Sequence, residues 1–261
     1  MDIRAYNREA WNREVDQGNQ WTIPVDSQTV ALARQETWSV LLTPTRPVPA
    51  SWFPHMRGTK ILCLASGGGQ QGPTFAAAGG IVTVLDNSPH QLQQDRLVAE
   101  RENLELELVE GDMADLFEFK DDQFDLIFHP VSNAFVPDVK PVWREAFRVL
   151  RREGALLAGF VNPVHYLFDY DLMDEKGELE VLYSIPYSDL KSLPPDKYKH
   201  YLESGEPLEF GHTLEDQIGG LIEAGFLISG FYEDIDPSSL IGQYIPSFIA
   251  VKAIKPVTAG I

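Results

Sequence analysis

From residue 60 onward, short apolar runs of strand length alternate with stretches in which apolar residues recur at helical spacing. This alternation is typical of a parallel sheet whose strands are joined by covering helices. The last two apolar runs have no helical pattern in the fourteen residues between them, so we expect that pair to be antiparallel. The predicted strands lie at residues 60–65, 81–86, 104–109, 124–129, 155–161, 226–232 and 247–253.

Capping residues mark two of the predicted helices. Asp138 is predicted to cap the helix that follows the fourth strand, and its amphipathic pattern continues to Leu150. The basic pair Arg151-Arg152 and the nearby Gly154 suit the end of that helix. The last helix is predicted from Thr213 to Gly225.

Two segments do not follow the alternation of strands and helices. The first carries four of the five tryptophans and a proline-rich stretch, and we interpret it as a helical cap. The second mixes aromatic and acidic residues and interrupts the step from the fifth strand to the last helix. The predicted organisation is therefore a cap at 1–59, a core at 60–161, an insertion at 162–212 and the C-terminal part of the core at 213–261.

The first apolar run breaks into a glycine-rich turn, Gly67-Gly68-Gly69-Gln70-Gln71-Gly72, before a helical pattern begins. A turn without side chains at the end of a strand lets a ligand approach backbone N–H groups, and the first turn of the next helix faces the same ligand. Asp86 ends the second strand, where an acid can hydrogen-bond ribose hydroxyls. These features alone fit NAD, FAD or S-adenosylmethionine.

A third loop decides between these cofactors. Asp112 and Met113 follow the third strand, and in an open α/β sheet the loops after neighbouring strands contact one ligand. An acid there can accept a hydrogen bond from an adenine amino group, while a thioether packs on the ring. Taken alone, the pair also fits a capped turn with a core methionine. In register with the other two loops, it favours S-adenosylmethionine.

The chain resembles the class I S-adenosylmethionine-dependent methyltransferases, closely over residues 58–161 and more loosely in the antiparallel tail. The motifs that carry the resemblance are Ile61 to Gly69, Asp86-Asn87, Gly111 to Met113, Phe124 to His129 and the helix before Gly154. The resemblance implies a doubly wound, Rossmann-like α/β fold with seven strands, the last of them antiparallel. It also implies which residues contact the cofactor: Ala65, Ser66, Gly67, Gly68, Gly69, Gln70, Asp86, Asn87, Asp112, Met113 and His129. The chain departs from the family at Cys63, where an acid is usual, and at Ala65, where a glycine is usual.

A base for methyl transfer, if one is used, is expected just beyond the fourth strand, where His129 and Asn133 lie. His129 is the leading candidate, with a structural or cofactor-packing histidine as the alternative; Asn133 could orient a substrate or cap a turn. The acceptor pocket is expected to draw on aromatic and histidine side chains of the cap and the insertion, which equally fit a core. The residues assigned to it are Trp11, Trp21, Tyr166 and His212, with His165 and Tyr170 as further members.

The composition restricts the classes of partner that we expect for this chain. The formal net charge is -18, which disfavours nucleic acid and anionic membrane surfaces, so a small-molecule acceptor is expected. The single cysteine, Cys63, fits a small buried hydrophobe in a reducing compartment, and no metal-ligand spacing accompanies the acidic clusters. We therefore expect a cytoplasmic monomer or homodimer without a metal.

Two other functions remain open. The first is an NAD(P)-dependent oxidoreductase, which the literal glycine pattern supports. The second is a non-catalytic S-adenosylmethionine-binding protein, which the departures at Cys63 and Ala65 make reasonable.

Overall fold

The computed structural model describes residues 1–257, which form a seven-stranded sheet and a separate two-stranded ribbon. The strands, numbered along the chain, are β1 (Lys60–Leu64), β2 (Ile81–Asp86), β3 (Leu106–Glu110), β4 (Phe124–His129), β5 (Leu150–Val161), β6 (Tyr187–Ser188), β7 (Phe210–Gly211), β8 (Leu227–Asp234) and β9 (Phe248–Ile254). The sheet order is β3-β2-β1-β4-β5-β9-β8. Strands β1 to β5 are parallel, and β9 is antiparallel to both β5 and β8. The predicted α/β fold with an antiparallel last strand is confirmed.

The helices of the described chain connect these strands and build the two additional segments. They are α1 (Ile3–Asp16), α2 (Ser27–Ala33), α3 (Gln71–Ala77), α4 (Pro89–Glu102), α5 (Lys140–Val149), α6 (Tyr170–Lys176), α7 (Asp189–Ser192), α8 (Pro195–Ser204) and α9 (Gly220–Ala224). A π-helical turn at Glu215–Gly219 leads into α9, and Gly225 caps the end of α9 with a φ of 107°. None of the helices within residues 1–257 has both the length and the apolar content that crossing a membrane would require.

Both faces of the sheet are covered, as a doubly wound fold requires. Alternate residues of β1 enter opposite cores: Leu62 and Leu64 pack on the side of α5 and α9, whereas Ile61 and Cys63 pack on the side of α3 and α4. Cys63 is fully buried there, and burial raises the pKa of its thiol well above the usual value. It is therefore a small core residue, as predicted.

The start of β5 differs from the sequence expectation of a strand at 155–161. Leu150 already pairs with Phe124 of β4, and Arg151 donates from Nε to Asp125 Oδ1 on the same strand. Arg151, Arg152 and Gly154 therefore belong to the strand and do not terminate α5. Ladder pairing and an ion pair with the neighbouring strand override the helix-terminus signal.

Smaller shifts occur elsewhere. The third strand, expected at 104–109, begins two residues later as β3. Asp138 lies one residue before the observed N-cap of α5, Val139, although its Oδ1 accepts from the Lys140 N–H at 3.0 Å. The predicted C-terminal part, 213–261, includes residues 258–261, which lie outside the described residues.

The N-terminal helix holds the core and the insertion together. Asn7 of α1 donates from Nδ2 to the carbonyl oxygens of Phe135 and Leu208, both at 3.0 Å. Its Oδ1 accepts from the Leu208 N–H at 2.8 Å. Arg13 of the same helix donates to the Gly205 carbonyl at 2.6 Å. Helix α1 therefore lies across the gap between the loop after β4 and the residues that precede β7.

Candidate functional site

A cavity of about 1160 Å³ opens at the carboxyl ends of the parallel strands. It lies where the strand order reverses between β1 and β4, which is the usual ligand-binding crevice of an open α/β sheet. The loops after β1, β2, β3 and β4 contribute to its wall, together with α1 and the end of the insertion. Predicted site residues that line it are Ala65, Ser66, Gly67, Gln70, Asp86, Asn87, Asp112, Met113, Trp11, Trp21 and His165.

The loop after β1 contributes its first residues to the cavity. Ala65 has a φ of 47°, a left-handed conformation that glycine adopts without strain, and its N–H donates to the Leu85 carbonyl at 2.8 Å. At the next turn, the Gly67 N–H donates to Asp86 Oδ2 at 2.9 Å. A Cβ on Gly67 would lie 2.7 Å from the Cβ of Gln91, so this position needs a glycine.

Gly68 and Gly69 occupy a different environment from the one predicted. The Gly68 N–H donates to Asp95 Oδ2 at 3.0 Å, and the Gly69 carbonyl accepts from the Val25 N–H at 2.9 Å. A Cβ on Gly69 would lie 2.8 Å from the carbonyl oxygen of Gln94 in α4. These two glycines therefore allow α4 and the N-terminal segment to approach the loop, and the cavity wall in residues 1–257 does not include them.

Asp95 supports this loop, and the sequence analysis missed it. The residue is fully buried in α4, and its Oδ1 finds no hydrogen-bond partner among the described residues. Burial is the main reason that its pKa rises to about 8. The available signal was an aspartate between Leu92 and Val98, three residues from each on the buried stripe of the helix.

The loops after β2 and β3 are covered by the start of α1. Asp86 accepts from the N–H groups of Gly67 and Ser88, each at 2.9 Å, and burial raises its pKa. Asn87 donates from Nδ2 to the Arg4 carbonyl at 2.9 Å, and Arg4 Nε lies 3.9 Å from Asp112 Oδ2. The acids predicted from the second and third loops therefore face one cavity, and Arg4 lies over them.

His129 does not reach this cavity. Its Nδ1 donates to the Leu64 carbonyl at 2.9 Å, its ring lies edge-to-face against Trp143 at 5.9 Å, and the side chain is fully buried. Burial lowers the pKa of His129 to about 4, so the imidazole is neutral. The geometry matches the structural alternative, because the ring lies on the α5 face of the sheet. We do not assign His129 as a base.

Four other predicted site residues form hydrogen bonds within the fold and do not reach the cavity. Asn133 donates from Nδ2 to Gln217 Oε1 at 2.8 Å, and His212 donates from Nε2 to the Asn133 carbonyl at 3.1 Å. Tyr166 donates from its hydroxyl to Glu209 Oε2 at 2.8 Å, and Tyr170 donates to the His165 carbonyl at 2.9 Å. All four lie outside the cavity wall formed by the described residues.

Of the assigned acceptor residues, Trp11, Trp21 and His165 line the cavity. Trp11 of α1 packs edge-to-face on Phe135 from the loop after β4, with ring centroids 5.0 Å apart. His165 and Glu209 of the insertion add polar groups. No local pattern singled out Arg4, Glu209 or Phe135, because their contacts join distant positions. These are Asn87 with Arg4, Asn7 with Phe135, and Tyr166 with Glu209.

The donor and acceptor set fits an adenosyl cofactor. Asp86 and Asn87 offer acceptors at the end of β2, Asp112 offers one after β3, and Met113 adds an apolar surface beside it. The absence of a side chain at Gly67 leaves the loop backbone close to this wall. Within residues 1–257, no group of three or more His, Cys, Asp or Glu side chains could hold a metal ion.

Comparisons with known proteins agree with this geometry. Residues 62–158 match a family model described as a methyltransferase domain. The chain is 52% identical over 251 residues, 96% of this chain and 98% of the relative, to the uncharacterized methyltransferase YbaJ of Bacillus subtilis. It is 42% identical over 88 residues, 33% of this chain and 24% of the relative, to a chloroplastic 2-methyl-6-phytyl-1,4-hydroquinone methyltransferase 2 of Oryza sativa.

A solved structure shares the fold. The S-adenosylmethionine-dependent methyltransferase of Mesorhizobium loti superposes with a TM-score of 0.58 at 20% identity, covering 78% of this chain and 94% of that one. The relative of nearly equal length establishes the family, and the common fold agrees with it. The chain therefore belongs to the class I S-adenosylmethionine-dependent methyltransferases, and S-adenosylmethionine is its cofactor.

Proposed function

We propose that this protein methylates a small-molecule acceptor that binds in the same cavity as the cofactor. The observation that carries the proposal is the extent of the cavity wall, which runs from Ala65 and Asp86 past Phe135 to Glu209 of the insertion. Helix α1 contributes Trp11 to this wall, and Asn7 of the same helix hydrogen-bonds to Phe135 on one side and to Leu208 on the other. A concave site with walls from several segments suits a small molecule better than a polymer.

Assignments for the cofactor follow from the three loops. We assign Asp86 and Asn87 to the ribose hydroxyls, Asp112 and Met113 to adenine, and the backbone of Ala65 to Gly67 to the methionine end. Because Asp86 already accepts from two backbone N–H groups, its carboxylate is held in place before a ligand arrives. Gly68 and Gly69 hold the loop against α4 and have no assigned contact with the cofactor.

Bound in this way, S-adenosylmethionine supplies a positively charged sulfonium whose methyl carbon is open to displacement. The residues of the chain then have three tasks: to orient the acceptor in line, to exclude water and to receive a proton where the acceptor releases one. Trp11, Phe135 and Phe248 provide apolar surface for the first two tasks.

Two further points support a small-molecule acceptor. The net charge of -18 opposes binding to the phosphates of nucleic acid. The name of the Oryza sativa relative says of that protein that it methylates a hydroquinone, and the similarity to it extends over 88 residues.

Calorimetry with S-adenosylhomocysteine tests the cofactor assignment. We expect Asp86→Ala to weaken binding by about 1–3 kcal/mol, because buried hydroxyls lose their acceptor, which is about 5- to 150-fold in Kd. Asp115→Ala, an exposed acid beyond the third loop, is the matched control and is expected to bind as the wild type does. Equal affinity in a folded Asp86→Ala variant would remove Asp86 from the site.

The same titration separates the oxidoreductase alternative. We expect NADH to show no saturable binding at concentrations that saturate the site with S-adenosylhomocysteine. NADH binding that Asp86→Ala weakens and S-adenosylhomocysteine displaces would contradict the proposal.

A further inference from the structure

We propose that Glu209 is a catalytic residue of this methyltransferase, and that its carboxylate binds the protonated nitrogen of an amine acceptor and then takes a proton from it. The inference rests on the proposed function, because it assumes that the acceptor occupies the cavity that Glu209 lines. It adds the chemical class of the acceptor and the group that receives the proton.

The position of Glu209 is fixed from several directions. Its Oε2 accepts from the Tyr166 hydroxyl at 2.8 Å, and its N–H donates to Asp189 Oδ2 at 2.6 Å. Leu208, the residue before it, is bonded through both backbone groups to Asn7. The remaining carboxylate oxygen, Oε1, takes part in no hydrogen bond within the described part of the chain. Glu209 therefore has one oxygen held and one available at the cavity.

Glu209 lies on the acceptor side of this cavity. The Asn7 side chain that holds Leu208 also donates to the carbonyl of Phe135, in the loop after β4. The assigned cofactor residues lie on the loops after β1, β2 and β3, on the other side of the strand-order reversal. An acceptor bound between the cofactor residues and Glu209 would therefore have the cofactor on one side and the Glu209 carboxylate on the other.

The charge of the wall selects an acceptor class. Among the residues that the structure describes, seven acidic side chains and two arginines line the cavity. Both arginines hydrogen-bond to other protein groups: Arg13 to the Gly205 carbonyl and Arg4 to Asn87. A carboxylate or phosphate would meet excess negative charge, whereas an ammonium group is attracted. The acids are Glu14, Asp86, Asp112, Asp138, Glu206, Glu209 and Asp236.

An ammonium group must lose a proton before its nitrogen can attack. The Glu209 carboxylate takes that proton, the nitrogen lone pair forms the new N–CH3 bond, and the CH3–S bond breaks with its electron pair left on sulfur. Burial raises the pKa of Glu209 to about 7, which makes its carboxylate a stronger base than an exposed glutamate.

The groups around Glu209 shift its pKa in opposite directions. The charges of Asp189 and Glu206 raise its pKa, and the hydrogen bond from Tyr166 lowers it. Tyr187 and Tyr201 lie close enough to interact electrostatically with the carboxylate. Removing the Tyr166 hydroxyl is therefore expected to raise the pKa of Glu209.

Binding to the protein saturated with S-adenosylhomocysteine is the first test. The probes are benzylamine, phenethylamine and butylamine, each with its matching alcohol and carboxylate. We expect at least one amine to bind at least tenfold more tightly than its two partners. Glu209→Gln should weaken that amine at least tenfold without changing the Kd of S-adenosylhomocysteine, whereas Glu203→Gln, an exposed acid of the same insertion, should change neither.

Methyl transfer to the amine that binds is the second test. We expect Glu209→Gln to lower kcat at least about 100-fold. Tyr166→Phe should retain activity but move the acidic limb of the kcat profile to higher pH, because the ionised carboxylate loses a hydrogen bond. A purely structural role for Tyr166 would lower activity without moving the limb.

Three results would overturn the inference. The first is that no amine binds more tightly than its matching alcohol and carboxylate. The others are amine binding that Glu209→Gln leaves unchanged, and a kcat for Glu209→Gln equal to that of Glu203→Gln. Failure of the wild type to bind S-adenosylhomocysteine would instead remove the proposed function. The cofactor titration therefore separates the two failures.

Discussion

Ala65 adopts a backbone conformation that its side chain disfavours. Its φ of 47° lies in the left-handed region, which glycine adopts without strain. In this region a Cβ strains the folded protein by about 1–2 kcal/mol. A glycine removes that strain but makes the unfolded chain more flexible, which lowers the free energy of unfolding by about 0.4–1 kcal/mol. We expect Ala65→Gly to stabilise the protein by about 0.5–1 kcal/mol, measured as the free energy of unfolding in urea.

Ala76 provides the control for this substitution. It lies in α3 and has an ordinary helical backbone, so Ala76→Gly is expected to destabilise the protein by about 0.5–1 kcal/mol. If both glycine variants lost stability, the left-handed conformation of Ala65 would cost nothing that glycine relieves.

Individual site residues were predictable to the extent that loop position alone decides their role. Asp86 and Asp112 line the cavity because any residue at the carboxyl ends of β2 and β3 lies near the strand-order reversal. His129 was not predictable, because β4 is buried on both faces and its apolar pattern does not tell which face a residue joins. Glu209 is held by Tyr166 and Asp189, which are 43 and 20 positions away, and no local pattern encodes such contacts.

At the scale of elements, the attachment of α4 to the glycine loop depends on a buried carboxyl group. Asp95 accepts from the Gly68 N–H, and its pKa is raised to about 8, mainly by burial. The folded protein therefore keeps a proton on Asp95 that the unfolded chain releases near pH 4. This contribution to stability is complete below about pH 4 and is lost as pH rises towards about 8.

We expect Asp95→Asn to reduce this pH dependence, because the amide resembles the protonated carboxyl and does not titrate. The stability of the variant relative to the wild type should increase between pH 5 and pH 8.5 by at least about 1 kcal/mol. Urea unfolding at both pH values measures the difference, in which contributions from Asp86 and the other acids largely cancel. A constant difference would mean that Asp95 is ionised in the folded protein at pH 5.

Element boundaries followed the sequence where burial and hydrogen bonding agreed with the local pattern. The runs at 81–86 and 124–129 coincide with β2 and β4, since both are apolar and end at loops. The sequence did not show that β5 begins at Leu150, because the first residues of the strand after Leu150 are charged and do not look like a buried strand. One of them, Arg151, donates to Asp125 on β4. Nor did it show the short elements of the insertion, such as β6 and β7, which pair with each other.

At the scale of the whole molecule, one side chain joins the N-terminal segment, the core and the insertion. Within residues 1–257, the Asn7 side chain makes three hydrogen bonds, one to Phe135 in the core and two to the backbone groups of Leu208 in the insertion. Helix α1 also lines the cavity through Trp11, so its contacts with both parts hold one wall of the site in place. Closure of the site is therefore linked to the stability of this junction.

We expect Asn7→Ala to loosen the insertion without unfolding the sheet, because the lost hydrogen bonds all lie at this junction. Amide exchange at residues 205–211 should become at least about tenfold faster, which corresponds to about 1.4 kcal/mol of local opening, while exchange in β1 and β4 should stay unchanged. Asn12→Ala is the matched control on the same helix, since Asn12 accepts from the Ser88 hydroxyl of the core at 2.7 Å. If both variants accelerated exchange equally at 205–211, the effect would come from α1 as a whole, and Asn7 would have no special part in closing the cavity.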